Sequence, residues 1–542
     1  MLDRSPNLAL LAENARERLG DHEALVYDGR VHRSGPLFER ATRVGTGLTG
    51  LGVAPGDRVV VLTANCPEVT LTYNAIWRAG GVVTPVMFLV GPDELAHILV
   101  DSGARVLITS PELLPTVAGA APRAPELRHV VVIGAPDGPD APDAPDGPDT
   151  PDTPDAPDSG TPSLPPHLHV CSFADVEAAA AGHPVARAAD DLAALLYTGG
   201  TTGRAKGVML SHGNLHACSL STHTAAQETV EPEGPGRTLI PLPLSHAYGL
   251  IVTLVGWHAL EPQLAVLQRW FDPAEWLDLA QRHRVHRTTL VPSMIQMLLA
   301  QPLDEADLSE LRHVASGAAP LPYEVRAEWE RRVPGSRILE GYGCTESGSV
   351  IATTRPGRVR PGSVGQPLPG YDIEIRDEQG RAVPAGGDGE ICVRSAGVTV
   401  GYWQAPELTG QTVRDAWLHT GDIGRFDEDG FLYVVDRKKD LILRGGFNVY
   451  PRDVEDVLVT HPEVAAAGVV GRPDARLGEE VVAYVTLRGD RAVPAEELVA
   501  YAREHLAAHK YPREVRVVGQ LPLTSVGKLD RKALRRLYVS GQ

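Results

Sequence analysis

Up to about residue 340 the chain alternates short apolar runs with longer stretches in which apolar positions recur every three or four residues. Residues 58–63 (RVVVLT) read as a strand and 67–79 carry a helical apolar stripe. Gly80-Gly81 stops that helix, and 82–85 are apolar again. Similar units recur at 105–109, at 238–241 followed by a helix-like 247–260, at 287–291 and at 337–339. Strand and helix in alternation predict parallel sheets with helices on their faces. Between about 360 and 435 the pattern changes to short segments with turn signals. Asp429-Gly430, between 425–427 and 431–435, predicts a hairpin. Beyond 437 an alternating strand at 481–487 and a helical stretch at 496–509 predict a smaller mixed region. The expected fold class is α/β. A large N-terminal body, 1–436, holds parallel sheets flanked by helices and a small β-barrel-like region; a small α+β lobe spans 437–542.

One segment breaks the pattern. Residues 136–158 repeat Pro-Asp at a period of three. Glycine does not fill every third place, so no collagen helix can form. Proline removes backbone donors and the acids repel, which predicts a solvated, extended insertion over 134–167, between apolar runs at 129–133 and 169–170. No function is assigned to it. The tract carries eight of the acidic residues, so the net charge of −18 is about −10 without it. That balance disfavours nucleic acid and anionic membranes as partners.

At 542 residues the chain exceeds what one core usually supports, and 43% hydrophobic with 22% charged residues is ordinary globular composition. No run reaches the roughly 18 apolar residues of a membrane span, and the charged N-terminus does not resemble a secretory signal. Five cysteines, scattered and without histidines at ligand spacing, point to reduced surroundings rather than disulfides or zinc. The expected location is cytoplasmic, and oligomeric state is left open.

Chemistry concentrates first in 192–212, LAALLYTGGTTGRAKGVMLSH. Two apolar runs flank glycines, threonines, Arg204 and Lys206, a composition suited to gripping phosphate: glycine lets amides approach, hydroxyls donate, cations neutralise. The order is not a Walker A loop, because Lys206 stands between Ala205 and Gly207. GYGCTE at 341–346 is not a dinucleotide fingerprint either, since Glu346 replaces the third glycine. No GxSxG or HExxH occurs.

TGGTTGRAKG at 198–207 resembles the phosphate loop of the adenylate-forming superfamily, which includes acyl-CoA synthetases, luciferases and peptide-synthetase adenylation domains. The family's other motifs follow in order: PLSHAYG at 243–249, ASGAAPLP at 315–322, EGYGCTESG at 340–348, HTGD at 419–422, VDRKKDLILRGGFNVYP at 435–451 and PLTSVGKLDRKAL at 522–534. The look is closest to bacterial fatty-acyl or aryl acid CoA ligases. The resemblance implies ATP, Mg²⁺ and coenzyme A as cofactors or co-substrates, with a small carboxylic acid as substrate. It implies that Thr198, Gly199, Gly200, Thr201, Thr202, Gly203 and Lys206 hold the outer phosphates. Gly317, Ala318, Ala319, Glu340, Gly341 and Tyr342 would surround adenine, and Asp422 with Arg437 would take the ribose. Thr201 and Glu346 would hold the metal, Thr345 would contact the α-phosphate, and Lys528 would bind both attacking carboxylate and α-phosphate. His246, Gly249, Ala318 and Gly341 would shape the acyl pocket. Lys439 would be the hinge of a mobile C-terminal lobe, with Gly445 and Gly446 admitting pantetheine. A carrier-protein thiol, or an unusual oxyanion in natural-product assembly, is the alternative. Ala205 and Cys344 depart from the residues frequent at those places, proline and methionine or leucine.

Overall fold

The computed structural model describes residues 7–134, 164–198, 204–227, 236–489, 493–523 and 529–540. An eight-stranded sheet runs, edge to edge, through Gly401–Tyr402, Lys206–Ser211, Leu192–Thr198, Val82–Val86, Arg58–Leu62, Val106–Thr109, His129–Val132 and His169–Ser172. From Leu192–Thr198 to His169–Ser172 the neighbouring strands are all parallel. Val59, Val60, Val61 and Leu62 are buried on both faces, which is why that strand reads as an unbroken apolar run rather than an alternation. The helix Pro67–Arg78 opens on proline and Glu68 and is followed by Gly80 at φ 77°, the start and stop signals in the sequence. Its Trp77 is fully buried and donates from Nε1 to the Ala193 carbonyl (2.9 Å), pinning the helix to the sheet.

The second, nine-stranded sheet is ordered Gln366–Pro367, Ser349–Thr353, Arg337–Cys344, His313–Ser316, Arg287–Leu290, Gly236–Ile240, Gln263–Leu267, Glu23–Tyr27, Arg30–Arg33. Arg337–Cys344 outruns the expected 337–339. It pairs in parallel with His313–Ser316 and then turns antiparallel against Ser349–Thr353. A five-stranded antiparallel sheet follows, built on Asp372–Arg376, Gly389–Arg394 and Trp417–Phe426, with Val413–Arg414 and Leu432–Arg437 both pairing Trp417–Phe426. The Trp417–Phe426/Leu432–Arg437 hairpin turns through a longer loop than Asp429-Gly430 alone. Asp427 Oδ1 accepts from the amides of Asp429 and Phe431, and Gly430 takes φ 77°. The last sheet holds Phe447–Val449, Ile442–Arg444, Gly478–Leu487, Val464–Asp474 and Glu514–Val517, with the helices Pro451–Val459, Ala495–His505 and Arg531–Ser540 beside it.

The Pro-Asp tract lies outside the described residues. The strands that bracket it, His129–Val132 and His169–Ser172, pair in parallel at one edge of the eight-stranded sheet. Among the described residues no helix is long and apolar enough to cross a membrane, and all five cysteines are free.

Two buried histidines tie the fold to pH. His212 Nδ1 accepts from the Leu8 amide (3.2 Å), and His258 Nε2 meets the Ser219 hydroxyl (2.9 Å) beside the rings of His216 and His223. Burial lowers His212 to about 4 and His258 to about 3. Both folded values lie below the ordinary 6.5, so each group stabilises the fold fully above pH 6.5 and progressively less as pH falls toward its folded value. Each proton taken up on unfolding costs about 1.4 kcal/mol per pH unit. Denaturant midpoints should therefore fall steadily from pH 6.5 to 4.5, and His258→Gln should shallow that slope by one proton; an unchanged slope would contradict the burial of a neutral His258.

Candidate active site

A cleft of about 2400 Å³ opens at the carboxyl ends of the parallel strands of the nine-stranded sheet, where ligands of α/β folds bind. Its walls include Thr198, His246, Gly317, Ala318, Ala319, Glu340, Gly341, Tyr342, Thr345, Glu346, Asp422, Arg437 and Lys439, which come from strands scattered over the sequence.

Two loops form one side. Ala318 sits at φ 67°, a left-handed conformation costly for a residue with a Cβ. A Cβ on Gly317 would lie 2.8 Å from the Gly341 carbonyl oxygen, so only glycine allows the two loops to approach. Beside them Tyr342 donates its hydroxyl to Asp422 Oδ2 (2.7 Å), and Arg437 Nε pairs with Asp422 Oδ1 (3.1 Å). Asp422 is 5% exposed, and the antiparallel register sets it directly opposite Arg437. Burial, reinforced by the Asp422 carboxylate, holds the Tyr342 phenol well above its usual range, so it stays a donor. Each carboxylate oxygen keeps a second lone pair, leaving Asp422 able to accept from two hydroxyls as well. Glu340 is fixed by Arg326, which donates to it and to the Ile338 carbonyl; burial raises the Glu340 carboxyl.

Glu346 lies on the single turn Thr345–Ser347, closed by Gly348 at φ 81°. Its Oε1 accepts from the Tyr402 hydroxyl (2.8 Å) and its carbonyl from the Thr399 amide (2.8 Å). No cation pairs with Glu346 among the described residues. A carboxylate with free oxygen lone pairs facing a polyphosphate-sized cleft fits Mg²⁺, which prefers one or two carboxylates plus phosphate oxygens. The neighbouring Cys344 thiol is pushed far up by burial and by Glu346, so it is a protonated packing group.

Several expected residues stand elsewhere. Gly199, Gly200, Thr201, Thr202, Gly203 and Lys528 lie outside the described residues. Lys206 opens the strand Lys206–Ser211, paired with Thr198, but does not border the cleft. Gly249 does not border it either. A Cβ there would sit 2.3 Å from the Leu244 Cα, so its missing side chain serves backbone packing rather than substrate space. Gly445 and Gly446, at φ 58° and 84°, turn the chain between Ile442–Arg444 and Phe447–Val449 away from the cleft. By contrast Leu523 and Leu529 bridge one another, and Leu529, Asp530 and Arg531 line the cleft. Arg531 is anchored to Glu455 and Asp440.

Sequence reading missed a cluster behind Asp422. Cys392 and His419, 27 positions apart, are cross-strand partners, and Glu390 lies on the same face. Glu390 meets His419 Nδ1 (3.2 Å) and accepts from Lys438 Nζ (3.1 Å) and the Gly421 amide (3.2 Å). Burial pushes the Cys392 thiol up to about 12, and the Lys438 ammonium already serves Glu390, so this is a hydrogen-bonded strut under the Asp422 loop. Asp436 is a second one. Its carboxylate accepts from the Arg452 amide at the start of the helix Pro451–Val459, joining the third sheet to the last. Strand alternation places Glu390 and Cys392 on one face; only the register reveals His419.

The AMP-binding enzyme family model matches residues 11–403, and the AMP-binding enzyme C-terminal domain matches 453–528. The chain is 36% identical to a feruloyl-CoA synthase of Amycolatopsis sp over 96% of this chain and 97% of that one. It is 34% identical to a long-chain-fatty-acid–CoA ligase of Bacillus subtilis (strain 168) over 98% and 94%. Among solved structures, the anthranilate CoA ligase AuaEII in complex with anthranoyl-AMP superposes with a TM-score of 0.84 at 27% identity, over 99% of this chain and 98% of that one.

The Gly249 geometry is testable. Gly249→Ala should destabilise the protein by about 1–3 kcal/mol, as overpacking does, seen as a lower melting temperature; a melt identical to the parent would restore Gly249 to the pocket wall.

Proposed function

The chain belongs to the AMP-binding enzyme family, and we propose that it is a cytoplasmic carboxylic acid–CoA ligase acting through an acyl-adenylate. The observation that carries this reading is the convergence of Tyr342, Asp422, Arg437 and Glu346 on one cleft from three separate strands and a turn. In the first half-reaction a carboxylate oxygen attacks the α-phosphorus of ATP. The bond to the bridging oxygen breaks, and pyrophosphate leaves with its electron pair. In the second a thiol sulfur attacks the carbonyl carbon, the thiol proton goes to solvent, and AMP leaves.

Two anions must meet in the first step, so the protein's task is charge neutralisation and alignment. The slot between Gly317–Ala319 and Tyr342 suits a flat purine. Asp422 accepts from the ribose hydroxyls while Arg437 and the Tyr342 phenol hold its orientation. Thr198 and Gly199–Gly203 would grip the β- and γ-phosphates, and Thr345 the α-phosphate. Bound at Glu346 with Thr201 near, Mg²⁺ would supply positive charge to the phosphate oxygens. Lys528 brings an ammonium to the point where negative charge gathers; the cleft position of Leu529–Arg531 supports this. His246, Ala318 and Gly341 border the acid.

The thiol needs the face that Lys528 would occupy. We place the domain boundary between 436 and 437 and the pivot at Lys439, whose rotation would exchange Lys528 for Gly445-Gly446. Coenzyme A is the favoured acceptor, a carrier-protein thiol the alternative, and the acid comes from fatty-acyl or aryl metabolism.

Acid-dependent ATP–pyrophosphate exchange with AMP as the nucleotide product is the expected outcome; a panel of aliphatic and aryl acids yielding only ADP would end the reading. Lys528→Ala should slow adenylation on the order of 10²–10³-fold while supplied acyl-adenylate still reacts with coenzyme A; equal loss in both steps would reject that division of labour. Lys439→Pro, by fixing a backbone angle, should impair one half-reaction far more than the other. Rapid-quench measurement of each half-reaction checks this, and proportional losses would argue against lobe rotation.

A further inference from the structure

The strands Leu192–Thr198 and Lys206–Ser211 pair antiparallel, with Tyr197 opposite Gly207 and Thr198 opposite Lys206. That register sets the two ends of the glycine- and threonine-rich segment side by side, and Tyr197 and Thr198 line the cleft. Both ends meet one helix, Pro92–Ser102, in which His97 and Asp101 stand four positions apart on one face. His97 Nε2 donates to the Ala205 carbonyl (2.9 Å), at the entry to the second strand, and its ring lies edge-on to the Tyr197 ring, centroids 6.4 Å apart. A carbonyl only accepts, so the His97 ring carries a proton on Nε2. The Tyr197 hydroxyl donates to Asp101 Oδ2 (2.6 Å); burial, with that carboxylate beside it, holds the phenol far above its usual range, so it stays the donor.

The helix is itself held fast. Leu95, Ile98 and Leu99 are buried in the apolar core beneath it, and Arg58, on a central strand of the sheet, donates from Nε to the Ser102 carbonyl (2.5 Å) in its last turn. The Asp101 carbonyl accepts from Trp403 Nε1 (2.9 Å), and the Arg58 guanidinium lies over the Trp403 ring, 5.1 Å from its centroid. Trp403 in turn donates its amide to the Gly207 carbonyl (2.8 Å), while its neighbour Tyr402 donates its hydroxyl to Glu346 Oε1. One helix end therefore supports the strand pair and, through residues 402–403, the carboxylate suited to Mg²⁺. Ala205 stands where proline is frequent in the family. Proline would fix φ there; in this chain a hydrogen bond from His97 restrains the same peptide.

We propose that His97 is a positioning residue for the polyphosphate of ATP: by holding the Ala205 carbonyl it fixes the spacing and direction of the two chain ends between which the β- and γ-phosphates are gripped. This deepens the ligase reading and rests on it. His97 acts through the peptide at Ala205 and never touches the reacting atoms. Two consequences separate this role from a merely structural bond. An acyl-adenylate has no β- or γ-phosphate, so the bond matters for ATP and the first half-reaction and not for the second. A restraint of a different kind at the same peptide should replace it, because the gain comes from preorganisation rather than from a contact with the ligand.

The test uses the full chain. Calorimetry gives the Kd for ATP without acid, pyrophosphate release with an acid from the panel above gives each KM, and supplied acyl-adenylate with coenzyme A isolates the second half-reaction. His97→Phe keeps a ring against Tyr197 and removes the donor. It should weaken ATP about 2–10-fold in both Kd and KM, the range of one neutral hydrogen bond. The KM for the acid and the rate from supplied acyl-adenylate should stay as in the parent. His97→Gln, which keeps an N–H donor at similar reach, should recover part of the loss, as should Ala205→Pro in the His97→Phe background. His97→Asn, too short to reach the carbonyl, carries the same test if His97→Phe does not fold. An unchanged ATP affinity, equal losses in both half-reactions, or a loss that neither rescue relieves overturns the assignment while leaving the ligase reading intact. No pyrophosphate from the parent with any acid of the panel overturns both.

Discussion

The arrangement depends on one buried carboxylate. Asp422 is held from both sides, by the Tyr342 hydroxyl on the nine-stranded sheet and by the Arg437 guanidinium on the strand Leu432–Arg437. A buried carboxylate is tolerable only while it is paired and hydrogen-bonded. The three segments that carry these groups are therefore forced together, and the wall of the cleft is the result. Position and charge are set by the same contacts, so the site has little freedom to drift.

That constraint extends backwards into the third sheet and forwards into the last. Glu390 gathers His419, the Gly421 amide and Lys438, fixing the loop that presents Asp422 and the chain that follows Arg437. Asp436 receives the first turn of the helix Pro451–Val459, while Arg531 ties the C-terminal helix to Glu455 and Asp440. Among the described residues, Glu390 with Lys438 and Asp436 with Arg452 are polar contacts that join these two sheets.

The order of strands and helices and the change of character after 360 were legible in the sequence, as were some of the residues that border the cleft, Tyr342, Glu346, Asp422 and Arg437 among them. Unbroken apolar runs such as 58–62, helices with a proline start and a glycine stop such as Pro67–Arg78, and ordered motifs are local properties, written in neighbouring residues. What required the tertiary structure were relations between distant ones. Gly249 looked like pocket space because glycine leaves room, yet the room is filled by the Leu244 backbone. Cys392 and His419 looked unrelated until strand register paired them. A sequence fixes which side chains each segment offers; packing alone decides which of them meet.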